Sequence, residues 1–394
     1  MPAPLKDLLV LDFTRLLPGP FATQLLGNLG ADVIKIEDTG PGDYMRTVPP
    51  SIQGVSYAYL MVNRGKRSLS VDLKTKEGRE ILYKLVPKAD IVMEQFRPHV
   101  MTELGMDYPT LVKRNPKLIY CSFSGYGQTG PAKDVPGHDI TFEAHAGILG
   151  VGGDHDGRPA IPGVPMADLA SGFNAAMSVL AALRTRDKTG KGELIDVSIF
   201  DTAVSLMVLN LARYLATGEE PVAGETLLTG TFPFYNLYEA SDGGWLAVAV
   251  VEQKFWQAMC EIMELPELKD AQFADEREKS RVVTVLRSRF RSKPKAEWEA
   301  LFAEANLPIV GVRTVAELVK DPQVKARELL PVVDVPGLWK MPVIGHPAKH
   351  TVSSTRNEAR APAKGEDTEA ILRSLGYTPK QIAALAKKGV VALG

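Results

Sequence analysis

Short apolar runs alternate with amphipathic stretches through the first half of the chain. Residues 8–13 read as a buried strand, residues 21–28 as a helix entered from Pro18-Gly19-Pro20, and residues 32–37 as the next strand. The alternation continues, predicting a strand over 68–73, a helix over 76–85, a strand over 90–94, a helical stretch over 108–114 and a strand over 118–123. Strands and helices repeating at this spacing imply a parallel sheet covered on both faces, with ligands at the carboxyl ends of its strands.

Residues 124–165 are loop-rich. A long apolar helix with many small residues follows over about 168–184, then a turn at Thr189-Gly190-Lys191-Gly192, a strand over 193–197 and a helix over 201–216. From residue 224 the layout changes to strands over 234–239 and 245–250 around Ser241-Asp242-Gly243-Gly244, followed by helices over 253–263, 280–290 and 295–303. A hairpin followed by helices is an α+β arrangement. The tail is extended through Pro347 and ends in helices over 367–375 and 379–387. The expected organisation is a large α/β domain over residues 1–223, a small α+β domain over 224–331, and a segment over 332–394 that returns to the large domain.

The 394 residues are 45% hydrophobic and 24% charged, enough to bury a large core. The 46 basic and 47 acidic residues are scattered without a long run of one sign. Nucleic acid and anionic membranes are therefore not expected as electrostatic partners. Cys121 and Cys260 are the two cysteines, and the opening residues lack the basic flank and apolar run of a signal peptide. A cytoplasmic location is expected, and no stretch approaches 18 uncharged apolar residues, so no membrane span is expected either.

Two residues suggest chemistry. His138 follows Gly137 among turn residues, where a base that titrates near neutrality is placed for a site and not for a core. Asp168 heads an apolar face at helical spacing (Leu169, Phe173, Ala176, Met177, Leu180), in the first turn or at the N-cap of its helix. The helix dipole favours the ionised carboxylate there, and the plain alternative is a capping residue with no chemistry. A neutral imidazole and an ionised carboxylate would supply proton acceptors on opposite sides of one carbon. His145 reads as a packed helix residue. The glycines of residues 147–153 run GxxGxG, the wrong order for a dinucleotide loop, and read as a flexible loop. The histidines and cysteines show no zinc spacing, no other metal site is expected, and no GxSxG elbow is present.

Leu17-Pro18-Gly19-Pro20, Asn63-Arg64-Gly65-Lys66-Arg67-Ser68, Asp72-Leu73-Lys74, Phe96-Arg97-Pro98, the run from Ser124 through Gly127 to Pro131, and Thr189-Gly190-Lys191-Gly192 carry a resemblance. Over nearly its whole length the chain resembles family III coenzyme A transferases and the related α-methylacyl-CoA racemases. Gly137-His138-Asp139-Ile140, the carboxylate 30 residues later and Glu252 are similar to the racemase branch; transferases usually have Tyr-Asp or Phe-Asp where this chain has His138-Asp139.

The resemblance implies a Rossmann-like large domain with a smaller α+β domain, two chains interlocked, and an acyl-CoA thioester as substrate with no tightly bound cofactor. On the racemase reading, His138 and Asp168 exchange the α-proton of a 2-methylacyl-CoA through an enolate, and Glu252 orients the imidazole. On the transferase reading, Asp168 attacks the thioester to form an acyl anhydride. The resemblance places coenzyme A contacts at Val71, Asp72, Leu73, Lys74, Arg97, Gly137 and Asp139, with Arg64, Lys66 and Arg67 as further candidate cations. Asp38 and Glu103 stand where many relatives have a cation near the phosphates. They suggest a third reading, a non-catalytic CoA-binding subunit of a hetero-oligomer, beside the expected homodimer.

Overall fold

Leu9–Asp12 (β1), Asp32–Glu37 (β2), Arg67–Val71 (β3), Ile91–Glu94 (β4), Ile119–Ser124 (β5) and Leu194–Ser198 (β6) pair in parallel in the spatial order β3-β2-β1-β4-β5-β6. Val391–Ala392 adds an antiparallel strand beside β3. Every residue of β4 and β5 is buried, as in a parallel sheet covered on both faces. The structure is a computed structural model that describes residues 3–52, 54–153, 157–334, 340–355 and 360–394.

Pro18–Asn28 (α1), Tyr57–Asn63 (α2), Lys76–Leu85 (α3), Asp139–His145 (α4), Met166–Thr189 (α5) and Ile199–Leu206 (α6) accompany this sheet. Ile81, Leu82 and Leu85 of α3 join Leu11, Ile34 and Leu69 from the strands in one core, together with Ile371, Leu372 and Ile382 from the two C-terminal helices. α5 lies against α1, β5, β6 and α6. Gly172 permits that approach to α1: a Cβ there would stand 2.8 Å from the Phe21 ring and 3.0 Å from the Pro18 carbonyl oxygen. By length and composition alone α5 passes the test for a membrane span, as core helices also do, and 44% of its apolar window is buried within the chain.

These elements belong to a first unit made of Met1–Ala146, Gly163–Leu206 and Gln323–Gly394. A second unit comprises Gly147–Pro162 and Met207–Pro322. It contains Val208–Thr217 (α7), an antiparallel sheet of Tyr235–Glu239 (β7), Trp245–Ala249 (β8) and Ile309–Gly311 (β9) with β8 central, and the helices Gln253–Ile262 (α8), Glu276–Phe290 (α9) and Lys295–Glu304 (α10). Trp256, Phe290, Trp298 and Phe302 fill its core. Each indole N–H is satisfied, Trp256 by the Leu268 carbonyl at 2.9 Å and Trp298 by the Phe290 carbonyl at 2.8 Å.

Two expectations need correction. The segment over 124–165 is not all loop: it carries α4 and a helical turn, Ile148–Val151, inside the glycine-rich stretch expected to be flexible. The single helix expected over 201–216 breaks at Met207 into α6 and α7.

Candidate active site

Strand order reverses between β1 and β4, and the loops leaving their carboxyl ends form a crevice, as expected for an open α/β sheet. A buried charge network fixes the first loop. Asp12, the last residue of β1, accepts hydrogen bonds from the Thr14 N–H (2.9 Å), the Thr23 hydroxyl (2.7 Å) and the Lys66 ammonium (2.9 Å). Lys66 also donates to Asn63 Oδ1 (2.9 Å), and burial pulls its pKa down to about 8 against the pull of Asp12. Leu16 is held at φ 61°, a left-handed conformation unusual for leucine, by its N–H to Asp43 Oδ1 (2.9 Å). The Gly19 N–H donates to Gln95 Oε1 at 3.1 Å and ties this loop to the one after β4.

This network corrects one expectation. Lys66 is consumed by Asp12, Arg64 is buried with guanidinium donors on the Met61 and Ile344 carbonyls, and Arg67 pairs with Asp32. Lys66 and Arg64 are buried and already partnered, and Arg67 pairs with Asp32 where β3 and β2 begin, at the end of the sheet opposite the crevice.

Above the strand ends lies a cavity of about 460 Å³, whose walls include Phe96, Arg97, Ser124, Lys133, His138 and Asp168. The wall at residues 137–145 is built around Phe142. A Cβ on Gly125 would sit 2.8 Å from its ring and one on Gly137 2.6 Å, so two backbone segments close on the same ring edge. His138 stands at the N-cap of α4 with its backbone locked by Thr141, whose hydroxyl accepts from the His138 N–H (3.0 Å) and donates to its carbonyl (2.7 Å). His145 packs between Tyr126 and Phe200, with ring centroids 5.4 and 4.8 Å away, as expected of a structural residue.

Asp168 occupies the first turn of α5, behind the N-cap Pro165. It shares that turn with two acids from α4: Asp139 Oδ1 accepts the Asp168 N–H at 3.0 Å, and Glu143 Oε1 accepts the Met166 N–H at 3.2 Å. Glu143 is fully buried. Burial first, then the charges of Asp139 and Glu143, push the Asp168 carboxyl up to about 7. Burial and two neighbouring acids thus oppose the ionised form that the helix N-terminus was expected to favour.

The cavity brings together Arg97, Gly137, His138 and Asp168; Asp139 does not line it, and its carboxylate accepts the Asp168 N–H behind the wall. Val71, Asp72, Leu73 and Lys74 do not line it. The Val71 and Leu73 side chains are in the sheet core, and Asp72 Oδ1 accepts the Lys74 N–H. Glu252 is the exposed N-cap residue of α8 in the second unit. Glu103 is exposed on the short helix Val100–Glu103. Asp38 is compensated by Arg15, at 2.9 Å, whose guanidinium also lies 5.4 Å from the Phe96 ring centroid. Sequence reasoning missed Arg15, Lys133, Ser124 and Glu143. For Arg15, Ser124 and Lys133 the available signal was their position at strand ends and in the loops after them, whereas Glu143 lies inside α4 and carried no such signal.

A model of CoA-transferase family III matches residues 5–368. The chain is 34% identical over 396 residues to succinyl-CoA:glutarate CoA-transferase of Homo sapiens, covering 98% of this chain and 90% of that protein. It is 36% identical over 390 residues to succinyl-CoA:mesaconate CoA-transferase of Haloarcula marismortui, covering 94% and 96%. A CAIB/BAIF family protein from Brucella suis shares the structure with a TM-score of 0.84 and 32% identity, over 95% of this chain and all of that one. These relatives are named as transferases, and none of these names supports the racemase reading. The chain belongs to CoA-transferase family III.

Proposed function

We propose that this protein transfers coenzyme A between carboxylic acids, with Asp168 as the nucleophile. The observation that carries the reading is the placement of the Asp168 carboxyl on the cavity wall, half-buried and poised near neutral pH, in a chain matched end to end by named transferases. Its ionised oxygen would attack the thioester carbonyl of the donor; the C–S bond breaks, the CoA thiolate leaves, and a mixed anhydride forms. Return of the thiolate to the aspartyl carbonyl frees the donor acid and leaves an aspartyl thioester. The acceptor carboxylate then displaces CoA from that thioester, and attack of the thiolate on the acceptor's carbonyl regenerates Asp168.

Coenzyme A is thus a substrate, not a resident cofactor. Arg97 and Lys133 are the cavity cations suited to its phosphates. Phe173, Met177 and Leu180 form an exposed apolar stripe along α5, 48%, 63% and 38% accessible, which supports a homodimer.

The test is incubation with succinyl-CoA in D₂O, with and without glutarate. Appearance of glutaryl-CoA that Asp168→Asn abolishes supports transfer. Deuterium at the α-carbon without an acceptor, and no glutaryl-CoA with one, would instead restore the racemase reading.

A further inference from the structure

The first turn of α5 is not capped by its own chain. Its N-cap residue, Pro165, offers no side-chain acceptor, and the leading N–H groups of a helix have no partner within it. Two acids four residues apart on α4 take that role from outside. Glu143 Oε1 accepts the Met166 N–H at 3.2 Å, and Asp139 Oδ1 accepts the Asp168 N–H at 3.0 Å. Glu143 has no exposed surface and does not line the cavity. Its other oxygen, Oε2, is buried without a donor among the described residues, and the carboxyl beside it is that of Asp139. If both acids were ionised, acceptor would face acceptor; one proton between them turns that repulsion into a hydrogen bond and satisfies Oε2. Burial first, and then the charge of Asp139, push the Glu143 carboxyl upward, which puts the proton on Glu143. Among titratable groups on the elements packed against α4, Asp168 of α5 faces the pair, Asp201 of α6 is exposed, and Tyr126 after β5 meets the rings of Phe142 and His145.

We propose that Glu143 is a positioning residue for acyl transfer: sharing one proton with Asp139, it caps α5 from α4 and so fixes the first turn that carries Asp168 on the cavity wall. The inference rests on the transferase reading, in which Asp168 is the nucleophile. Attack on a thioester carbonyl needs the carboxylate held in a narrow range of positions, and a first turn with free N–H groups would not hold it. The shared proton also leaves one negative charge beside Asp168 instead of two, so its carboxylate still forms near neutral pH.

The experiment uses full-length wild type, Glu143→Gln and Glu143→Met with succinyl-CoA and glutarate, and reads kcat, KM and the acid limb of kcat/KM. Glutamine reproduces the protonated acid, its carbonyl accepting the Met166 N–H and its amide donating to Asp139. It is expected to keep kcat within about threefold, and the acid limb within about half a pH unit, of wild type. Methionine fills the space with neither group. Its kcat is expected to fall roughly 10- to 100-fold with KM for succinyl-CoA nearly unchanged, because Glu143 does not line the cavity. An infrared difference spectrum between wild type and Glu143→Gln at pH 7 should show a protonated carboxyl in the wild type. A missing band, or an acid limb lowered by about one unit or more in Glu143→Gln as loss of a full charge would give, overturns the shared proton. A folded Glu143→Met with wild-type kcat overturns the positioning role; if that variant does not fold, a kcat in Glu143→Gln more than about tenfold below wild type overturns it instead. Wild type that makes no glutaryl-CoA, or activity surviving in Asp168→Asn, overturns the transferase reading, and the infrared band then still tests the proton.

Discussion

On the proposed mechanism Asp168 acts as a nucleophile from a place where burial and neighbouring acids raise its carboxyl to about 7. Because its carboxyl is raised to about 7, the reactive carboxylate accumulates as pH rises through neutrality. The acid limb of kcat/KM is expected near pH 7, and Asp139→Asn, which removes one repelling charge, should move that limb to lower pH. A limb at the ordinary carboxylate value in the wild type would contradict this environment. The same shift has a consequence for stability. A carboxyl whose folded pKa lies above its unfolded value of 3.8 binds more protons in the folded state between about pH 4 and 7, so its contribution is lost as pH rises through that window. Asp168→Asn should therefore raise stability at pH 8 by roughly 2–4 kcal/mol and change it little at pH 4, measured by urea denaturation at both values. Position and acidity were unequally legible here. The helical spacing after residue 168 put the carboxyl in a first turn, but its acidity depends first on burial and then on Asp139 and Glu143, which come from α4 packed on α5.

At the scale of elements, legibility followed how much of an element's stability is local. The spacing of Ile81, Leu82 and Leu85 with the Thr75 cap, whose side chain accepts the Gly78 N–H, defines α3 without help from elsewhere. β2 was equally clear in its apolar run. By contrast α4 has seven residues and a polar sequence, and it exists because Phe142 packs against Tyr126, 5.2 Å between centroids, while Thr141 locks its start. No local pattern announces such an element. Gly137→Ala tests this packing: a Cβ 2.6 Å from the Phe142 ring forces α4 to shift, so activity should fall by more than tenfold with a stability loss of about 1–3 kcal/mol. The network under the crevice offers a second test. Lys66→Met leaves Asp12 buried without its cation and should cost roughly 3–5 kcal/mol, read from the urea midpoint; a change under about 1 kcal/mol would mean the network is not what holds the loop after β1.

For the whole molecule, the sequence pattern foretold the parallel sheet, because βαβ repeats have a recognisable period and order. It did not foretell that residues 147–162 group with the second unit, since that depends on contacts distant in sequence. The exposed stripe on α5 predicts association: light scattering should give the mass of two chains, and Met177→Glu, at a position 63% exposed, should weaken the dimer without unfolding the chain. A wild-type monomer at micromolar concentration would remove that role from the stripe. The central claim is that Asp168 carries the transferred group, and trapping tests it most directly. The enzyme is mixed with succinyl-CoA alone, quenched with hydroxylamine, digested and analysed by mass spectrometry. The mechanism predicts release of CoA and a hydroxamate at Asp168. An unmodified Asp168 peptide from enzyme that still turns over with glutarate would contradict it.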